Sequence, residues 1–171
     1  MMLEVALDSD GEWDSSEQPD WAALADAAAR AAIAESRYPA LTDTARAIEL
    51  SVQLTGDEQV RALNAQWRGK DKPTNVLSFP LAEADELADP GTDGPELMLG
   101  DIVLARGVCV AEACEKAIPL THHAVHLLVH GTLHLLGYDH GEDAEATDME
   151  AREIRALARL GIPDPYAAEA A

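Results

Sequence analysis

Positive charge is scarce in this 171-residue sequence: 12 Lys and Arg stand against 32 Asp and Glu, a net charge of −20. Such a surface repels polyanions on average. That excludes a binder that grips nucleic acid by bulk potential, while leaving room for a local basic site. Aromatic residues make up only 4%, and the 47% apolar fraction leans on alanine. The two cysteines, Cys109 and Cys114, are spaced C-x4-C, which matches neither a zinc knuckle nor a redox C-x-x-C. Two buried, reduced thiols are expected. No stretch approaches eighteen uninterrupted apolar residues, and the first residues carry acids rather than a basic start. Neither a membrane span nor a signal peptide is therefore expected, and the cytoplasm is the expected compartment.

The length fits one domain, 1–171, large enough to fold without disulfides. Alternation of Leu3, Val5 and Leu7 predicts a first strand, and an alanine-rich helix follows from Asp20 to about Ser36. Ala45–Leu54 reads as a second strand with Ile48, Leu50, Val52 and Leu54 on one side. A short helix from Asp57 to Trp67 has Val60, Leu63 and Trp67 as its packing face. Asn75–Phe79 is a brief strand, and Glu83–Glu96 an acidic loop too polar to be core. Leu97–Ala105, the most apolar strand, is expected at the centre of the sheet. Helices follow at about Gly107–Ala117, Thr121–Leu136 and Asp143–Leu160. The pattern predicts an α+β fold: a small mixed sheet of about four strands flanked by about five helices.

All six histidines fall in the segment THHAVHLLVHGTLHLLGYDH. On a helix, His126, His130 and His134 lie along one stripe, while the remaining positions are almost entirely apolar. Buried imidazoles without partners cost about 1–3 kcal/mol each, and charging several together costs more. A divalent metal relieves this by taking the lone pairs of neutral rings. The i, i+4 pair His130 and His134 can converge on one ion. Gly137 can take the left-handed conformation that ends the helix, so that His140 returns to the same ion. Zinc, one per chain, is the expected metal, bound by His130, His134 and His140. Three nitrogen ligands leave a fourth position open, as in catalytic rather than structural sites. His126 is either a fourth ligand or, as favoured here, a packed or hydrogen-bonded ring supporting the ligands, and Asp139 either orients an imidazole or caps the last helix. His122 and His123 are expected as polar surface residues. Gly131 occupies the position where zinc peptidases of the H-E-x-x-H type carry their glutamate, which demotes peptide hydrolysis.

The second unusual segment is LNAQWRGKDKPTNVLSFP, from Leu63 to Pro80, in which Arg68, Lys70 and Lys72 against Asp71 leave +2 in an otherwise acidic chain. An arginine fork matches two phosphate oxygens. Together with HGTLHLLGYDH and LGDIVLA, this segment resembles the YbeY family of bacterial endoribonucleases, over about residues 45–160. The resemblance implies zinc ligands at His130, His134 and His140 and a catalytically important arginine at Arg68. Lys70 and Lys72 are the candidates for substrate contact. One departure is Asn75, where family members usually carry aspartate. The resemblance further implies single-strand-specific cleavage of ribosomal RNA during 3′-end maturation of the small subunit and ribosome quality control. The implied partners are the small ribosomal subunit and its assembly factors, with neither DNA nor membrane. Two other classes share these residues: a zinc hydrolase of peptides or small molecules, and a ribosome-assembly factor whose zinc is not catalytic.

Overall fold

Ile48, Leu50, Val52 and Leu54 do alternate into the core in the computed structural model, which describes residues 3–10, 13, 20–91, 95–139 and 141–166. They belong to β2 (Ile48–Thr55), which pairs in parallel with β1 (Leu3–Ser9) on one side and β4 (Leu97–Ala105) on the other. β3 (Val76–Pro80) runs antiparallel along the far side of β4, giving the order β1-β2-β4-β3. The sheet is thus mixed and four-stranded, with β4 inside as its apolar composition predicts. β3 is an edge, where Pro80 removes no ladder bond that the sheet needs. Gly100 lets the strands close up: it has φ 145°, and a Cβ there would stand 2.3 Å from the Phe79 carbonyl oxygen.

Side-chain alternation divides the sheet into two faces. Ile102, Leu104 and Val76 join the main core with α1 (Trp21–Ala34), α5 (Leu120–Leu135) and α6 (Asp143–Arg159). Val103, Ala105 and Leu77 meet Val60 of α2 (Asp57–Arg68) in a smaller cluster, with α4 (Arg106–Lys116) on the same side. α1 is capped by Asp20, whose carboxylate accepts from the Ala23 amide, and its small residues allow close approach to α5. Trp13 and Trp21 pack edge to face at 5.1 Å. The Trp13 ring donates to the Thr55 carbonyl, and the Trp21 ring to the Trp13 carbonyl.

Several expectations need correction. The acidic loop is not uniformly solvated: it contains α3 (Ala84–Ala88), started by a Glu83/Glu86 capping box, and its Leu87 is buried. With this helix, the described residues hold six α-helices, in keeping with the roughly five expected. Only Cys109 is buried; Cys114 is exposed because it lies on the opposite face of α4. Trp67 is not a packing residue but 65% exposed, since the stripe that Val60 begins runs past the edge strand. His123 is buried beneath α4, where its Nε2 meets the Glu112 carboxylate at 2.9 Å. That burial lowers its pKa, the hydrogen bond and charge of Glu112 opposing only in part. Among the described residues, no helix is long and apolar enough to cross a membrane.

Candidate active site

α5 carries the histidine stripe between the sheet and α6, with Val125, Leu128, Val129 and Leu133 filling its other faces. The helix lies so close to β4 that a Cβ on Gly131 would stand 3.0 Å from Ile102. Position 131 therefore faces the sheet, and a peptidase-type glutamate has no room there. The helix stops where the sequence predicts, with Gly137 at φ 94° and the Tyr138 amide returning to the Leu133 carbonyl.

His130 and His134 converge as their spacing requires, with their Nε2 atoms 3.0 Å apart. Each ring is held from behind. His134 donates from Nδ1 to the Tyr138 carbonyl at 2.8 Å, and His130 donates from Nδ1 to Glu153 at 3.1 Å. Both acceptors lack protons to give, so the Nδ1 atoms carry the hydrogens and the neutral rings turn their Nε2 lone pairs toward one point. Two such lone pairs need a cation between them. Nitrogens each bound about 2.0–2.1 Å from one tetrahedral ion stand roughly 3.3 Å apart, close to the separation seen. The donor set thus fits a divalent metal of borderline softness. His140, the third expected ligand, lies outside the described residues, and no cluster of three metal-binding side chains occurs among those described.

Glu153 is the residue behind the candidate site that the pattern of motifs misses. It is fully buried on α6 and accepts from three directions: His126 Nε2 at 2.5 Å, His130 Nδ1, and the Tyr166 hydroxyl at 2.8 Å. Burial alone would raise its pKa, but the hydrogen bonds from His126 and His130 outweigh it and hold the carboxyl below the usual carboxylate range. The available signal was a carboxylate at position 153 in the stripe Met149, Glu153, Ala156 and Leu157, where only apolar residues belong. His126 is therefore a buried ring hydrogen-bonded to Glu153. Asp139 lies exposed on the cleft wall, and the N-cap of α6 is Glu142 instead.

A cleft of about 840 Å³ opens over this pair and straddles β3, reaching His130, His134 and Asp139 on one side and Trp67 and Arg68 on the other. The basic turn is fixed by α2. Gly69 takes the left-handed conformation at φ 69°, the Lys70 amide donates to the Asn64 carbonyl, and the buried Asn64 side chain donates to the Lys72 carbonyl. Asp71, the acid within the basic run, is taken by Arg61 at 2.9 Å. Arg68, Lys70 and Lys72 are exposed and form no ion pair among the described residues. Asn75 also lines the cleft and donates from its side-chain amide to Glu112 at 3.0 Å. An aspartate there could not donate that bond while ionised.

The family described as Endoribonuclease YbeY matches residues 12–161. A Rhizorhabdus wittichii protein named Endoribonuclease YbeY is 55% identical over 168 residues, covering 97% of this chain and 98% of the relative. One of the same name from Sphingopyxis alaskensis is 50% identical, with the same coverage. The chain belongs to the endoribonuclease YbeY family. A Thermotoga maritima protein solved in solution shares the fold at a TM-score of 0.53 and 20% identity, over 92% of each chain. The match from residue 12 shows that YbeY likeness extends well upstream of position 45, over the whole of α1.

Proposed function

We propose that this chain is a zinc-dependent endoribonuclease that cleaves single-stranded regions of ribosomal RNA in 3′-end maturation of the small subunit and in ribosome quality control. Its membership of the endoribonuclease YbeY family supplies the reaction class, cleavage of RNA phosphodiester bonds. The observation that supports the metal is the facing pair of Nε2 atoms with both Nδ1 atoms already engaged. His130, His134 and His140 hold the ion, and Glu153 and the Tyr138 carbonyl fix the first two rings in the binding tautomer. A zinc so bound supplies Lewis acidity toward a phosphate oxygen and a water of lowered pKa. Arg68 neutralises charge that develops on the phosphate, with Lys70 and Lys72 steering the flanking backbone. Asp139, beside His140 in sequence, helps orient that ring. Substrate reaches the site in the cytoplasm, presented by the small ribosomal subunit and its assembly factors rather than captured by bulk charge.

The deciding experiment compares zinc-reconstituted wild type, Arg68→Ala and His134→Ala on structured ribosomal RNA, with metal content and product ends measured. Arg68→Ala should keep zinc and lose about 10²–10³-fold in kcat, the loss typical of a missing oxyanion donor. His134→Ala should lose both metal and activity. A zinc-loaded wild type that binds ribosomal particles but leaves RNA intact would replace this reading with that of a non-catalytic assembly factor.

A further inference from the structure

Trp67 is out of keeping with the other indoles of this chain. Trp13 and Trp21 are buried, pack on each other, and satisfy their ring N–H groups on backbone carbonyls. Trp67 is 65% exposed, although burial of a large apolar side chain is worth about 1.5–3 kcal/mol. It stands on the last turn of α2, beside Arg68, and both line the cleft that His130 and His134 share. Phe79 braces it from β3, with ring centroids 6.5 Å apart and planes at 64°. That inclined contact fixes the indole without covering it face to face. Gly69 ends the helix immediately afterwards, so Trp67 sits on a rigid element rather than on a loose loop.

We propose that Trp67, backed by Phe79, is a stacking platform for one unpaired nucleobase, held next to the phosphate that Arg68 contacts. The proposal rests on the endoribonuclease reading above and adds what selects the strand. In a duplex, both faces of a base are already stacked, so only an unpaired nucleotide can lie on the indole. Preference for single strands then follows from the platform, and tolerance of base identity follows because every base has a π-face. Stacking also answers the charge problem: a chain of net charge −20 needs an affinity term that salt does not screen.

The test uses full-length protein and a short 2′-O-methylated single-stranded oligonucleotide, whose intact length is verified after each titration. Trp67 is the exposed indole of the chain's three, so base stacking should quench the protein's fluorescence, whereas an abasic oligonucleotide or the corresponding duplex should not. Trp67→Ala should bind roughly 5- to 150-fold more weakly, with zinc content and melting temperature unchanged, and Trp67→Tyr should restore most of the affinity. KM on cleavable RNA should rise in the alanine variant more than kcat falls. Equal binding by wild type and Trp67→Ala, or equal binding of abasic and base-bearing strands, overturns the platform. If wild type cleaves RNA and Trp67→Ala matches it, the platform alone falls; if zinc-loaded wild type neither binds nor cleaves RNA, the endoribonuclease reading falls with it.

Discussion

On the α5 side of β3, the histidine rings are braced from behind: Glu153 and the Tyr138 carbonyl hold His130 and His134, and Tyr166 in turn holds Glu153. On the α2 side, Trp67, Arg68, Lys70 and Lys72 stand in solvent, and hydrogen bonds secure only the backbone beneath the lysines. On the proposed function, the contrast follows from what each side would bind. Rings that meet a small ion must not move by even a fraction of an ångström, and each rotamer must be settled before the ion arrives. Charges that meet a flexible polyanion gain nothing by being paired within the protein, because each ion pair would have to break first. Even the single acid of the basic turn is removed from competition by Arg61.

The comparison breaks most decisively at Glu153. Replacement by alanine leaves His126, His130 and Tyr166 without their shared acceptor inside the core. The metal-free protein should lose about 3–5 kcal/mol of stability in urea denaturation, as when one partner of a buried pair is deleted. Glu153→Gln, which preserves volume, should lose less and still bind zinc about 10–100-fold more weakly. Arg68→Ala should leave stability within about 0.5 kcal/mol, as for an exposed residue with no structural partner. A loss below 1 kcal/mol for Glu153→Ala would mean that the rings hold themselves. Tyr166→Phe is the milder version. It removes one hydrogen bond to a charged group, and the expected cost is about 1.5 kcal/mol, the low end for such bonds because the ring is only half-buried.

Those two residues also mark where the sequence stops being readable. The convergence of His130 and His134 was legible because i, i+4 histidines in an apolar helix leave few physical alternatives, and Gly137 breaks the helix where the chain must turn. The basic turn beside the cleft was legible because three cations are conspicuous in an acidic chain. Glu153 was not, since α6 also carries Asp143, Glu145, Asp148 and Glu150, and only tertiary packing decides which acid turns inward. Trp67 was misread for a related reason. A stripe of Val60, Leu63 and Trp67 predicts packing, but its end is exposed because β3 is the edge, and strand order is a long-range property. His123 failed in the opposite direction: a histidine in the first turn of a helix reads as surface until α4 folds over it.

The smallest effect, and the one that most sharpens the contrast, concerns salt. If the exposed side supplies its affinity through Arg68, Lys70 and Lys72 alone, about three phosphates are neutralised. For a single strand the slope of log K against log salt should then be roughly −2. Each of Lys70→Ala and Lys72→Ala should flatten that slope by about 0.7 and weaken binding evenly across sequences. Neither should alter zinc content or the melting temperature, because the lysine side chains hold nothing in place. Titrations between low and physiological salt on the 2′-O-methylated strand measure this directly. A slope much steeper than about −3 would require cations that the acidic surface does not offer near the cleft, and would assign capture to another face. A slope near −2 that persists in Trp67→Ala, while its intercept drops, would separate the screened part of the grip from the stacked part within a single set of curves.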